Sequence, residues 1–198
     1  STSASAPEAD PDWIPPPSPF GAAALNEMLD GAYRRDDAQV AAAAAKIAGQ
    51  QKPAGGNLTE ARKYNADGRA EMQFGNYEDA ENLFAYGAKL APAEAEIVNN
   101  LGYAQLRQGK YADAKASLER TLLLAPGRAS AWFNVYELLA LDDADATWVC
   151  GAFTLGLKYA KDRQRAIEAA NQRIADENQP SVSQRLSDGL ACGQRKLK

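Results

Sequence analysis

Side chains able to move protons, hold metals or attack bonds are scarce in this chain of 198 residues. Histidine is absent, which removes the commonest general base and the commonest metal ligand together. The carboxylates fall at helix starts and turns, where capping and solvation account for them. The only thiols are Cys150 and Cys192. In a reducing compartment they are small apolar packing residues or spare thiols. In an oxidising one they can pair, and two cysteines so far apart do not make a zinc motif. No catalytic, cofactor or metal site is predicted, and the chain is not expected to be an enzyme.

Charge and composition narrow the partners. With 22 Lys and Arg against 26 Asp and Glu, the formal charge is −4 and the pI about 5.0. Binding along a nucleic-acid backbone needs a basic surface, so no nucleic acid is expected. The 45% hydrophobic share draws heavily on alanine, which suits helices packed closely through small residues. No run of 18 apolar residues is present, so no transmembrane helix is predicted.

The elements that would position a site repeat with a period of 34. Gly68 and Gly102, Gly75 and Gly109, Tyr77 and Tyr111, Ala80 and Ala114, and Pro92 and Pro126 all keep that spacing. Gly68 and Gly102 let two helices approach, and Ala80 and Ala114 stand where a larger side chain would push them apart. Gly75-Asn76 and Gly109-Lys110 turn the chain, and the prolines close each unit. One unit spans 61–94 and the next 95–128. A degenerate third, 129–161, starts with Trp132 but carries Tyr136 where glycine stands in the others. Its turn at Asp142-Asp143-Ala144-Asp145 is enlarged, and Cys150 falls on the small-residue position.

This period and these residues are the signature of the tetratricopeptide repeat (TPR) family, which the chain resembles over about residues 61–159. The resemblance implies an all-α, right-handed superhelical solenoid that holds extended peptides or partner helices in a concave groove. That groove is lined by the first helix of each repeat. Carried onto this chain, the groove comprises Arg62, Asn65, Arg69, Met72 and Gln73, then Glu96, Asn99, Asn100, Tyr103 and Arg107. Ser130, Phe133, Asn134 and Glu137 complete it. Asn100 matches the asparagine with which such grooves bond a peptide backbone. Asn65 replaces the first lysine of the clamp for C-terminal carboxylates, so that clamp is not expected. The stretch Asn99–Ala104 with Gly109-Lys110-Tyr111 resembles bacterial envelope TPR proteins, including lipoproteins that assist assembly of pili and secretin channels. A non-catalytic scaffold or adaptor in such a complex is the implied function. The alternative is a structural subunit built permanently into a larger machine.

The flanks complete the plan. Residues 1–21 form a Ser/Ala/Pro-rich arm, extended or disordered, with an apolar cluster of Trp13, Ile14 and Phe20. That cluster is either incidental or a docking element, able to enter the chain's own groove or a neighbour's. Residues 22–53 read as a helical hairpin. Leu25, Met28, Leu29 and Ala32 share one face, and Val40, Ala44 and Ile47 another. Counted back from Pro53, Leu25, Met28 and Ala41 take repeat positions, so the hairpin is expected to be a degenerate repeat. Asn57 and Glu60 suggest a capping box. Residues 162–198 supply capping helices, with Ile167, Ala170 and Ile174 on one face, then Leu186 and Leu190, and a basic tail. A start at Ser1 followed by such an arm is what signal-peptide cleavage would leave, and a trimmed chain would read the same. The expected location is therefore periplasmic or at the outer membrane. Membrane contact is expected only through a lipid anchor ahead of Ser1.

Overall fold

The computed structural model describes residues 12–197, so the arm's first eleven residues lie outside the described residues. Ten α-helices and no strand occur among the described residues. They are α1 (Ala23–Arg34), α2 (Asp37–Ala48), α3 (Leu58–Gln73), α4 (Tyr77–Leu90), α5 (Ala95–Arg107), α6 (Tyr111–Leu124), α7 (Ala129–Leu141), α8 (Ala146–Tyr159), α9 (Arg163–Ala175) and α10 (Pro180–Lys196). The middle six form an all-α solenoid. The first helices α3, α5 and α7 make one layer, each paired with its own second helix, and α4 and α6 pack onto the unit that follows.

Small residues set the spacing within each pair. A Cβ on Gly68 would come within 2.7 Å of the Phe84 ring, and one on Gly102 within 3.0 Å of Leu118. Ala80, Phe84, Ala114 and Leu118 are fully buried. The units are also tied by polar contacts. Glu81 of α4 accepts hydrogen bonds from Gln105 and Gln108 and pairs with Lys110 at 2.6 Å. Burial alone would raise the Glu81 carboxyl, but these partners outweigh it and hold it below the usual range.

The third unit solves the missing glycine differently. The Tyr136 hydroxyl donates to the Leu186 carbonyl at 2.5 Å, and its ring lies 4.8 Å from Phe153. Room for it comes from α10, where a Cβ on Gly189 would meet Val149 at 2.6 Å and Tyr136 at 3.1 Å. Helix α10 starts at Pro180, packs on α8 and α7, and closes the stack. A disulfide joins Cys150 of α8 to Cys192 of α10, so the pairing arrangement of the two cysteines is the one that occurs. Helix α9 is held lightly: Ala170 is buried, while Ile167 and Ile174 are half-buried.

The hairpin forms as expected, but it does not stack ahead of α3. Leu25, Met28, Leu29 and Ala32 are buried, as are Val40 and Ile47. Ala43 is buried where Ala44 was expected, and Ala41, the small position of the expected repeat, is exposed. Helix α1 packs on α8, and α2 on α6. Two features explain the placement. Lys63 and Asp67 of α3 stand one period before Ile97 and Leu101, which are buried on the side of α5 that meets α4; the corresponding side of α3 is therefore polar and needs no cover. Gly151 on α8, by contrast, admits the α1 backbone: a Cβ there would lie 2.6 Å from the Leu29 carbonyl oxygen. The linker then returns along the ends of α6 and α4. Lys52 donates to the Ile47 and Leu123 carbonyls, and Asn57 N–H donates to Leu90 at 2.7 Å. That last bond takes the backbone donor of the expected capping box. Asn57 Oδ1 still caps Glu60 N–H at 3.2 Å, while the Glu60 carboxylate accepts from the Asn57 side-chain amide.

Two outcomes test this architecture. On an open helix surface, Gly151→Ala would stabilise by about 1 kcal/mol through helix propensity. Against the Leu29 carbonyl it is expected to cost about 1–3 kcal/mol, read as a lower denaturant midpoint. A more stable alanine variant would place the hairpin elsewhere. Replacing both Cys150 and Cys192 by serine is expected to cost about 2–4 kcal/mol relative to the oxidised chain. Reductant should lower the midpoint of the parent and leave that of the variant unchanged.

Candidate partner-binding face

The first-helix layer presents the predicted groove residues, and the structure joins many of them to one another. Asn100 Nδ2 donates to Asn65 Oδ1 at 2.9 Å, and Asn65 Nδ2 donates to Glu96 at 3.2 Å. One unit on, Asn134 Nδ2 donates to Asn99 Oδ1 at 3.1 Å. Each amide pair crosses from one first helix to the next. Asn65 and Asn99 are buried, so they serve as rungs between helices and offer little to a partner. Asn100 and Asn134 are half-buried, and their side-chain carbonyl oxygens accept no hydrogen bond among the described residues.

Two of the charged groove residues, Arg107 and Glu137, enter an ion network. Glu137, only 8% exposed, accepts from Arg107 of α5 at 3.1 Å and from Arg173 of α9. Arg173 also pairs with Glu177 at 2.7 Å. Burial acts to lower the Arg173 pKa, but hydrogen bonds to Glu137 and Glu177 outweigh it and push it up. Arg107 stands over the Tyr77 ring, 5.9 Å from its centre. Tyr103 is half-buried, and desolvation is the first cause of its raised phenol pKa. Arg62 and Arg69 are exposed on α3.

Phe133 does not lie open as a platform. Its ring packs edge-on to Phe153 at 5.5 Å, in space left by Gly156. Its remaining surface helps line an apolar recess of about 180 Å³ between α7 and α9, with Asn134, Tyr136, Ala166, Ala169 and Ala170, beside Glu137 and Arg173. Ala166, Ala169 and Arg173 are absent from the predicted groove. Their spacing with Ala170 puts all four on one face of α9, and that was the available signal.

Among the described residues, Trp13 and Phe20 of the arm do not enter this face. Trp13 Nε1 donates to Asp30 at 2.7 Å, and its ring stacks on Tyr33 at 5.4 Å. Phe20 is buried, with its backbone held by the Asn26 side chain. The Pro17 carbonyl accepts from Trp148 Nε1 at 2.8 Å. The aromatic anchors therefore dock on α1 and α8, among the hairpin and second helices. Ile14 stands out, 84% exposed.

Removing Glu137 tests whether the network fixes α9. Its two arginine partners keep 33% and 24% of their side-chain surface exposed, which lowers the cost of stranding them. Glu137→Ala is expected to cost about 1–3 kcal/mol. Amide hydrogen exchange should speed up first in 163–175. Uniform change across all helices would mean that α9 is held by other contacts.

No curated protein matches this sequence. The model of the tetratricopeptide repeat family matches it over residues 65–127 and again over 100–144, windows that run from α3 past the end of α7. Those windows cover the helices whose packing repeats from unit to unit, and residues 65–144 are tetratricopeptide repeats, a repeat that mediates protein–protein interaction.

Proposed function

We propose that this chain is a non-catalytic adaptor that holds an extended segment of a protein partner on its first-helix face, outside the cytoplasm. The assembly it serves is a bacterial envelope complex of the pilus or secretion type. The observation that carries the reading is that the Asn100 and Asn134 carbonyl oxygens accept no hydrogen bond among the described residues, and that Asn134 lines the apolar recess of Phe133 and Ala170. An extended segment supplies backbone N–H groups for the first and an apolar side chain for the second. The Cys150–Cys192 disulfide supports an oxidising compartment, because such bonds form and persist there. The resemblance of Asn99–Ala104 to envelope TPR proteins supports the setting.

Crosslinking from the native source identifies the partner, and variants then locate it. Asn100→Ala and Asn134→Ala are each expected to weaken partner binding about fivefold, one hydrogen bond's worth. Ala169→Phe, a change at an exposed position that fills the recess, should weaken it further. Unchanged affinity in all three variants, each still helical, would remove this face from the function. Purification separates adaptor from permanent subunit: an adaptor is stable alone, whereas a subunit aggregates or co-purifies in fixed ratio.

A further inference from the structure

On the side of the molecule built from α1 and α10, cations gather that form no ion pair among the described residues. The Arg35 Nε donates to the Lys196 carbonyl at 3.2 Å, and Lys196 Nζ lies 4.4 Å from the centre of the Tyr33 ring. Arg195 is exposed next in sequence. Arg35, Arg195 and Lys196 form no ion pair among the described residues. Nearby carboxylates are engaged elsewhere: Asp30 by Trp13, Gln39 and Arg34, Asp37 by Lys158, Asp36 by the Gln39 N–H, and the exposed Asp188, which lines one recess with Tyr33 and Arg195, by Gln184. Asp12 is the exposed acidic neighbour of Trp13. Burial first, then Arg35 and Arg195, hold the Lys196 ammonium below its usual pKa. A chain of net charge −4 thus concentrates like charges in one place.

The same place carries apolar and aromatic groups. Tyr33 bears Lys196 and also stacks with Trp13, and Ile14 follows Trp13 with 84% of its surface in water. An acidic protein segment would use the cations and leave Ile14 uncovered. A bilayer surface uses both, since headgroup phosphates attract Lys and Arg while Trp, Tyr and an aliphatic side chain enter the layer beneath. We propose that Arg35, Arg195, Lys196, Tyr33, Trp13 and Ile14 form a docking surface for an anionic phospholipid bilayer. This surface involves helices other than those of the partner-binding face, so the protein can lie on a membrane with that face still open.

The test is co-sedimentation of the full chain with phosphatidylcholine vesicles and with vesicles containing phosphatidylglycerol. Binding to the second alone, weakening as salt rises, is expected. Trp132 and Trp148 are buried, so a blue shift of tryptophan emission on binding reports Trp13. Arg195→Gln and Lys196→Gln should each lower partitioning about fivefold. Ile14→Ser, at a position too exposed to affect folding, should lower it and shrink the blue shift. Equal binding to both vesicle types, no binding to either, or variants that bind like the parent would overturn the proposal. So would binding to polyglutamate without binding to vesicles.

Discussion

Helix α8 is buried on every side, and much of the molecule follows from that. Each residue from Thr147 through Leu157 is buried, whereas α4, the corresponding helix of the first unit, buries Ala80, Phe84, Gly87 and Ala88. A second helix of an ordinary repeat leaves a polar side in water; one that is apolar all round must be covered all round. Trp148, Phe153, Leu155 and Leu157 would each forgo about 1.5–3 kcal/mol if left exposed. Helix α7 covers one side, α1 a second and α10 a third. The close approach at Gly151, the disulfide from Cys150 and the bond from Trp148 to the arm all belong to that enclosure.

This also explains which parts of the fold were legible from residues alone. The 34-residue period marks helices whose apolar sides meet their sequence neighbours, and there the all-α repeat fold read from it agrees with the packing. The hairpin's buried residues were legible for the same reason, because spacing reports which side of a helix is apolar. It does not report which helix covers that side. The signal against a stack beginning at the hairpin lay in Lys63 and Asp67, polar where Ile97 and Leu101 are buried. The signal for its real location lay in the continuous buried run of α8. Cysteine spacing could not choose between pairing and packing, since that choice depends on how close α8 and α10 come.

The partner-binding face was legible as a surface but not as a network. Position in the repeat puts Asn65, Asn99, Asn100 and Asn134 on the first helices, yet the amide pairs join residues 35 apart, one more than the period. Side-chain reach across neighbouring helices causes that offset, and residue identity alone does not predict which partner wins. Arg107 and Glu137 were both read onto the first helices, but their meeting point with Arg173 depends on where α9 crosses.

The two sides of the molecule differ in how they are held, and the difference bears on binding. The enclosure of α8 is apolar and cross-linked, so it opens only with the fold itself. Helix α9, one wall of the recess, buries Ala170 and relies on Arg173 for much of its attachment. An element with few buried apolar contacts opens at lower cost than the core beside it. The recess therefore has a rigid wall, Phe133 braced by Phe153, and an adjustable wall in α9. The asparagine rungs fix the remaining floor within the fold itself, which would limit the ordering that binding at the proposed face must supply. On the proposed binding mode, side chains of different size would then be accepted at the recess without disturbing the register of a backbone along Asn100 and Asn134.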